Sequence, residues 1–367
     1  MSARGSGLGR VLVTGNMGYI GPLVTRELVE GSAGQVVGLD PGFFGHCMTG
    51  SEALPERLLE RQHFMDIRDC PDAVLSGMDT IIHLAALSND PLGATFEAAT
   101  AAINDAGTIG FARRARRAGV KRFVFASSCS MYGAASDEAR KEDDALNPLT
   151  AYARSKRAVE LALADEAAPD FMVSCLRFAT ACGWSPRLRL DLVLNDFVAS
   201  AIATGRIDVL SNGEPWRPLI HVEDMARALV WAAGRPADKG GDYLVVNVGS
   251  NDWNYQVKEL ANAVAAAIGG VSVTINEAAP ADRRSYRVSF DRLAALAPAD
   301  LIRRTLGDTI AELRDRLLEC GFADRNFRDS RLIRLVELKR LQAAGALGPD
   351  LRWTAAPTAK ESLGHAL

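Results

Sequence analysis

A short apolar run near the start, residues 10–14 (RVLVT), passes straight into Gly15-Asn16-Met17-Gly18-Tyr19-Ile20-Gly21, and helical spacing follows over 19–30. Glycines so spaced permit a tight turn, close backbone approach to a pyrophosphate and close packing of the helix on the strand. The helix N-terminus then offers free N–H groups and the positive end of its dipole to an anion. Glycine turns between strand and helix also occur without any ligand, so the surrounding chain has to support the reading.

That support begins with Asp40, which ends the next strand-like run, 35–39, 19 residues after Gly21. A carboxylate there can bond both ribose hydroxyls and repels a 2′-phosphate, so NAD is expected in preference to NADP. Asp66 and Ile67, in the DIRD stretch 66–69, follow another strand-like segment and are expected at the adenine, or else in a surface turn. Further strand-like runs lie at 80–84, 122–126 and 172–178, with helical spacing at 99–118. Apolar runs with little alternation suit strands covered on both faces. The βαβ rhythm predicts an α/β, doubly wound parallel sheet (Rossmann) over residues 8–180, with a return segment near 220–250 in which 244–248 rejoins the sheet.

Beyond residue 180 the rhythm loosens around Pro186, Pro215 and Pro218. Residues 181–345 are read as a smaller mixed α/β substrate lobe, interleaved with the first, with amphipathic helices at 255–269, 300–320 and 331–344. Residues 346–367 are read as a tail, frayed after Trp353.

Chemistry is suggested by Tyr152-Ala153-Arg154-Ser155-Lys156. Residues four apart on a helix share a face. An ammonium beside a phenol is expected to lower the tyrosine pKa from ~10, and such a tyrosine can remove a hydroxyl proton while hydride leaves the same carbon. Upstream, Ser127-Ser128-Cys129-Ser130-Met131-Tyr132-Gly133 follows the strand-like run 122–126, where ligands of parallel sheets bind.

Composition excludes more than it selects. The 367 residues are 48% hydrophobic and 24% charged, as in ordinary globular proteins, and the net charge of −3 gives no basic excess for nucleic acid. No run of about 18 apolar residues suggests a membrane span, and no leader-like apolar segment precedes residue 11. The six cysteines form no CxxC pair and no zinc-ligand spacing, so a metal is not expected and a cytoplasmic setting is.

With these motifs together, the chain resembles the extended short-chain dehydrogenase/reductase family, particularly its NAD-dependent nucleotide-sugar epimerases and dehydratases. The resemblance runs from about residue 10 to 293 and is carried by GNMGYIG (15–21), Asp40, DIRD (66–69), HLAA (83–86), Asn104, SSCSMYG (127–133), YARSK (152–156), LRFAT (176–180) and WRPLIHVED (216–224). It implies NAD as cofactor, a nucleotide-diphosphate sugar as substrate and a homodimer. It implies Ser128, Tyr152 and Lys156 as catalytic residues. Leu84, Ala85, Ala86 and Asn104 join residues 15–21, Asp40, Asp66, Ile67, Tyr152 and Lys156 at the cofactor. Ser128, Ser130, Thr180, Asn195, Arg217 and Arg284 are implied at the substrate, the two arginines suiting a diphosphate through their planar forks.

Departures from the family pattern narrow the reaction. Dehydratases of this kind carry an acidic pair at the two positions after the catalytic Ser/Thr, and here those positions hold Cys129 and Ser130. Related enzymes with a catalytic cysteine place it two residues before the tyrosine of the SSCSMYG block, where this chain has Ser130. Cys129 is therefore read as a small packed residue. Epimerisation at carbon 4 through a transient ketone is expected. A net nucleotide-sugar dehydrogenase or ketoreductase, a 4,6-dehydratase and a non-catalytic NAD-binding protein remain as alternatives.

Overall fold

A computed structural model describes residues 7–31, 34–50, 54–133, 138–279 and 285–354. The strands are β1 (Val11–Thr14), β2 (Val36–Leu39), β3 (Arg61–His63), β4 (Thr80–His83), β5 (Arg122–Ser128), β6 (Met172–Phe178), β7 (Thr180–Cys182), β8 (Arg206–Val209), β9 (Trp216–His221), β10 (Tyr243–Val248), β11 (Asn254–Gln256) and β12 (Ser272–Ile275). Seven form one sheet in the order β10-β6-β5-β4-β1-β2-β3, every neighbouring pair parallel. Strand order reverses between β1 and β4, and there the carboxyl ends open a crevice suited to a ligand.

Alternate residues of the central strands enter two different apolar cores. Val11, Val13, Ile82 and Val124 join one core, whereas Leu12, Ile81, Phe123 and Phe125 join the other. Helices Gly21–Glu30 and Val222–Gly234 cover the first face through Val24, Leu28, Ala226 and Leu229. Thr108–Arg117 and Ala151–Glu166 cover the second through Phe111, Ala115, Val159 and Leu163. Burial on both faces is why these strands read as continuous apolar runs.

The run 244–248 rejoins the large sheet as β10, parallel to β6. Beyond β6 the chain also builds a three-stranded sheet, β11-β9-β7, and a parallel pair, β12-β8. Helices Val193–Thr204, Val257–Ile268 and Leu306–Glu319 pack there through Leu194, Leu260 and Leu313, in the apolar core that backs the first sheet face.

Two local expectations change. The helix expected over 99–118 is interrupted by a π-helical stretch, Ala101–Gly107, between Glu97–Thr100 and Thr108–Arg117. A π-turn holds an extra residue and re-aims the side chains on it, which here include Asn104. Residues 346–354, expected in a tail, pack instead: Leu347 and Leu351 are buried in the second core, next to the helix Arg334–Ala343. The expected fraying falls on 355–367, outside the described residues.

Candidate active site

A cavity of about 330 Å³ opens at the carboxyl ends of the central strands. Gly15, Gly18, Tyr19, Ile20 and Gly21 form one wall. Gly15 has a φ of 71°, and a Cβ there would lie 2.7 Å from the Ala85 nitrogen; a Cβ at Gly21 would strike the Asn16 carbonyl. Leu84, Ala85 and Ala86, just past β4, complete this wall.

Asp40 faces the same space from the end of β2. Its carboxylate accepts the Met17 N–H at 3.0 Å and the Gly42 N–H at 2.7 Å, one on each oxygen. Burial nevertheless pushes its pKa up to about 6, against the pull of those N–H groups and Arg187. Each oxygen can accept a further hydrogen bond from a ligand in the cavity. Asp66 and Ile67 also reach the cavity, with Asp66 held by the Arg68 N–H at 2.8 Å and its guanidinium at 2.9 and 2.8 Å. A glycine cradle that side chains would fill, beside a buried carboxylate, fits a dinucleotide.

The catalytic candidates meet at the opposite end. Thr150 caps the helix Ala151–Glu166, accepting the Ala153 N–H at 3.1 Å and donating to Asp90 Oδ1 at 2.6 Å, so Tyr152 is fixed in the first helical turn. Ser128, at the end of β5, donates to Ser130 Oγ at 2.9 Å and lies beside the Tyr152 phenol, whose pKa it lowers. Lys156 donates to the Ala126 carbonyl at 2.6 Å, with Nζ 4.5 Å from the centre of the Phe125 ring and 5.6 Å from that of Tyr152. Ser128, Ser130, Tyr152, Lys156, Thr180 and Arg217 all line the cavity.

The electrostatics differ from the sequence expectation. Burial pushes the Tyr152 phenol up to about 12, with the Ser128 hydroxyl pulling the other way. Burial also drives Lys156 down to about 7, opposed by Glu160. In the free chain, therefore, desolvation outweighs any lowering of the phenol by the ammonium.

Four expected site residues act from behind the wall. Asn16 is buried and bonded to Gln62 at 2.7 Å, while the Met17 N–H is spent on Asp40. Asn104, on the π-turn, clasps both backbone groups of Leu87, at 2.8 and 2.9 Å, and thus fixes the loop after β4. Asn195, expected at the sugar nucleotide, is fully buried; it bonds the Gly183 N–H, the Tyr19 hydroxyl and the Arg189 carbonyl, so its amide is consumed inside the fold. Arg284 lies outside the described residues. Cys129 is buried, with Sγ 3.1 Å from the Arg177 carbonyl, and burial pushes its thiol up, away from nucleophilic chemistry.

Among the wall residues that sequence reasoning missed, Arg189, Tyr286 and Arg334 carry chemistry. Asp191, two residues after Arg189 and paired with it at 2.8 Å, was the available signal for the first. Tyr286 stood within the arginine-rich stretch 282–287. Nothing local marks Arg334, which comes from the far C-terminal helix.

Comparison with known proteins identifies the family. The NAD dependent epimerase/dehydratase family matches residues 11–249, more than half of the chain. The UDP-glucose 4-epimerase of Mycolicibacterium smegmatis is 32% identical over 271 residues, covering 71% of this chain and 83% of that protein. A dTDP-glucose 4,6-dehydratase of Streptomyces griseus is 27% identical over 310 residues, covering 82% of this chain and 93% of that protein. Among solved structures, MoeE5 in complex with UDP-glucuronic acid and NAD superposes with a TM-score of 0.72 at 28% identity, covering 85% of this chain and 99% of that one. No helix among the described residues is long and apolar enough to cross a membrane. A glycine cradle, a buried carboxylate in the cavity wall and a Ser–Tyr–Lys corner on one doubly wound sheet thus accompany a match across most of that sheet, and the chain belongs to the NAD-dependent epimerase/dehydratase family.

Proposed function

We propose that this protein is a nucleotide-sugar epimerase working at carbon 4 with NAD. The observation that carries the reading is the disposition of acids and bases around Tyr152. Dehydration needs an acid for the departing hydroxyl and a base for a neighbouring carbon, and the cavity's carboxylates are committed elsewhere. Asp40 is held by Met17 and Gly42, Asp66 by Arg68, and Asp90 accepts from Thr150. The two residues after Ser128 supply a buried thiol and a hydroxyl. Oxidation and re-reduction of one carbinol require no more than the Ser–Tyr–Lys set.

Residues 15–21, Asp40 and the loop after β4 would hold NAD, which when bound supplies the electron acceptor for carbon 4, the donor for its return, and a cationic ring. Tyr152 Oη takes the proton of the reacting hydroxyl and gives it back. Ser128 Oγ holds the sugar oxygen against the phenol, and Ser130 fixes Ser128 in turn. Arg217, from β9, supplies a cation to the substrate end of the cavity.

The test is a panel of UDP-, GDP-, CDP- and dTDP-sugars followed by proton NMR in deuterated water. The expected product is a 4-epimer without carbon-bound deuterium and without net accumulation of reduced cofactor. A 4-keto-6-deoxy product would establish dehydration instead, and stoichiometric reduced cofactor would establish net oxidation.

A further inference from the structure

Arg189 and Arg334 are buried arginines in the cavity wall, and Arg187, buried behind them, offers its carbonyl to Arg334; two of the three are neutralised. Arg187 pairs with Glu56 at 2.6 Å, and Arg189 pairs with Asp191 at 2.8 Å. The third, Arg334, is 2% exposed, faces the cavity, and forms no ion pair with any described residue. Its Nη2 donates to the Arg187 carbonyl at 2.7 Å, and its guanidinium lies 4.5 Å from the centre of the Phe44 ring. Its Nη1 is buried without a hydrogen-bond partner among the described residues; Arg187 Nη2 is likewise unmatched, but on a guanidinium already paired with Glu56. Burial draws its pKa down to about 10, so the group is still charged at neutral pH. Ring contact offsets part of the desolvation. A buried cation left with an unmatched N–H is nonetheless costly to a folded chain unless an anion arrives.

The segment that delivers Arg334 is fastened to the dinucleotide side of the cavity. Glu337, fully buried, bonds His46 at 2.8 Å. Arg68 donates to the Asp350 carbonyl at 3.0 Å, and Arg352 pairs with Asp69 at 2.9 Å. Trp353 donates to the Pro41 carbonyl at 2.6 Å and packs on Phe43 with ring centres 5.5 Å apart. These contacts grip the loops that follow Asp40 and Asp66.

We propose that Arg334 is a phosphate-binding residue, supplied to the cavity by the C-terminal segment, with its unmatched charge and free Nη1 directed at a ligand diphosphate. The contact with Phe44, in the loop after Asp40, favours the dinucleotide's diphosphate over that of the nucleotide sugar. The inference rests on the functional reading above, which places both ligands in this cavity.

The test uses the full chain, titrated calorimetrically with NAD and separately with UDP, and melted with and without each ligand. Arg334→Met keeps the stem and removes charge and fork. It is expected to weaken NAD about 10- to 100-fold, the range of a charge-assisted hydrogen bond, and to leave UDP within about twofold. The melting temperature of the ligand-free variant is expected to equal or exceed that of the wild type, while the NAD-induced rise shrinks. Loss of UDP affinity instead supports phosphate binding and assigns the phosphate to the substrate. Unchanged affinity for both ligands, or a lower ligand-free melting temperature with affinities kept, overturns the proposal. Should Arg334→Met fail to fold, Arg334→Lys, which keeps charge but not the fork, must still weaken one of the two ligands, and unchanged affinities overturn the proposal. If the wild-type chain bound neither NAD nor UDP, the functional reading would fail on its own. Inorganic pyrophosphate then becomes the probe, and binding of it that Arg334→Met does not weaken defeats the inference separately.

Discussion

Behind the end of β5, Arg177 and Glu160 are buried together, whereas on the other flank of the cavity Arg334 is buried with no ion pair among the described residues. Arg177 reaches Glu160 at 2.7 and 3.1 Å, and its remaining N–H groups go to the Tyr132 hydroxyl at 3.1 Å and the Glu142 carbonyl at 2.9 Å. Ser127 donates to the same carboxylate at 2.5 Å. Satisfied in this way, the pair is architecture: it anchors β5, β6 and the helix that presents Tyr152 and Lys156. The lone guanidinium has no such internal accounting, and a charge of that kind in a cavity wall makes physical sense as half of a pair whose other half is a ligand.

The largest effect is expected at the corner that the paired side supports. Tyr152→Phe removes the proton acceptor and should lower turnover by about 10²–10⁴-fold while NAD affinity, read by titration, stays near wild type. Retained turnover would detach the Arg177–Glu160 scaffold from any catalytic purpose. Next, Glu160→Gln strands Arg177 in the interior and should destabilise the fold by about 3–5 kcal/mol in chemical denaturation. The contrast with Arg334 sharpens if Arg334→Met shows no such loss in the same assay.

On the dinucleotide side, Asp40→Ala should weaken NAD by about tenfold and narrow the preference over NADP, measured by parallel titrations. The smallest effect is one of pH. Asp40 titrates near 6 in the free fold instead of near 3.8. The folded group holds its proton more tightly than the unfolded one, so its contribution to stability is complete below the unfolded value and is lost as pH rises through about 6. If Asp40 holds the ribose, its ionised form is the acceptor of the hydroxyls, so NAD affinity should rise a few-fold as pH rises through the same window. An affinity flat between pH 5 and about 7 would remove Asp40 from that role.

How much of this was legible in the sequence follows from the range of the interactions. The sheet, the glycine cradle, Asp40 and the Tyr152–Lys156 pair announce themselves because each is encoded within one strand, one turn or one helix face. Asn195 read as a ligand contact because its neighbourhood resembles one, yet its amide is consumed by Gly183, Tyr19 and Arg189, partners that the tertiary fold brings together. Asn104 was legible as a site residue but not as a clamp on Leu87, since the π-turn that aims it leaves no helical periodicity of its own. Arg334 was wholly hidden. Its spacing is that of an ordinary amphipathic helix, and its partners lie near residues 44 and 187.

The fastening of residues 334–354 over the loops after Asp40 and Asp66 also bears on the order in which the protein is made. Domains fold as the chain emerges from the ribosome, and the glycine loop, Asp40 and all seven strands of the large sheet are synthesised before this segment. A nascent chain can thus complete its sheet while the pocket still lacks one wall and its phosphate-facing charge. Dinucleotide capture by the growing polypeptide would be weaker before residues 334–354 emerge than after, and that later-made segment sets the moment at which cofactor loading becomes secure.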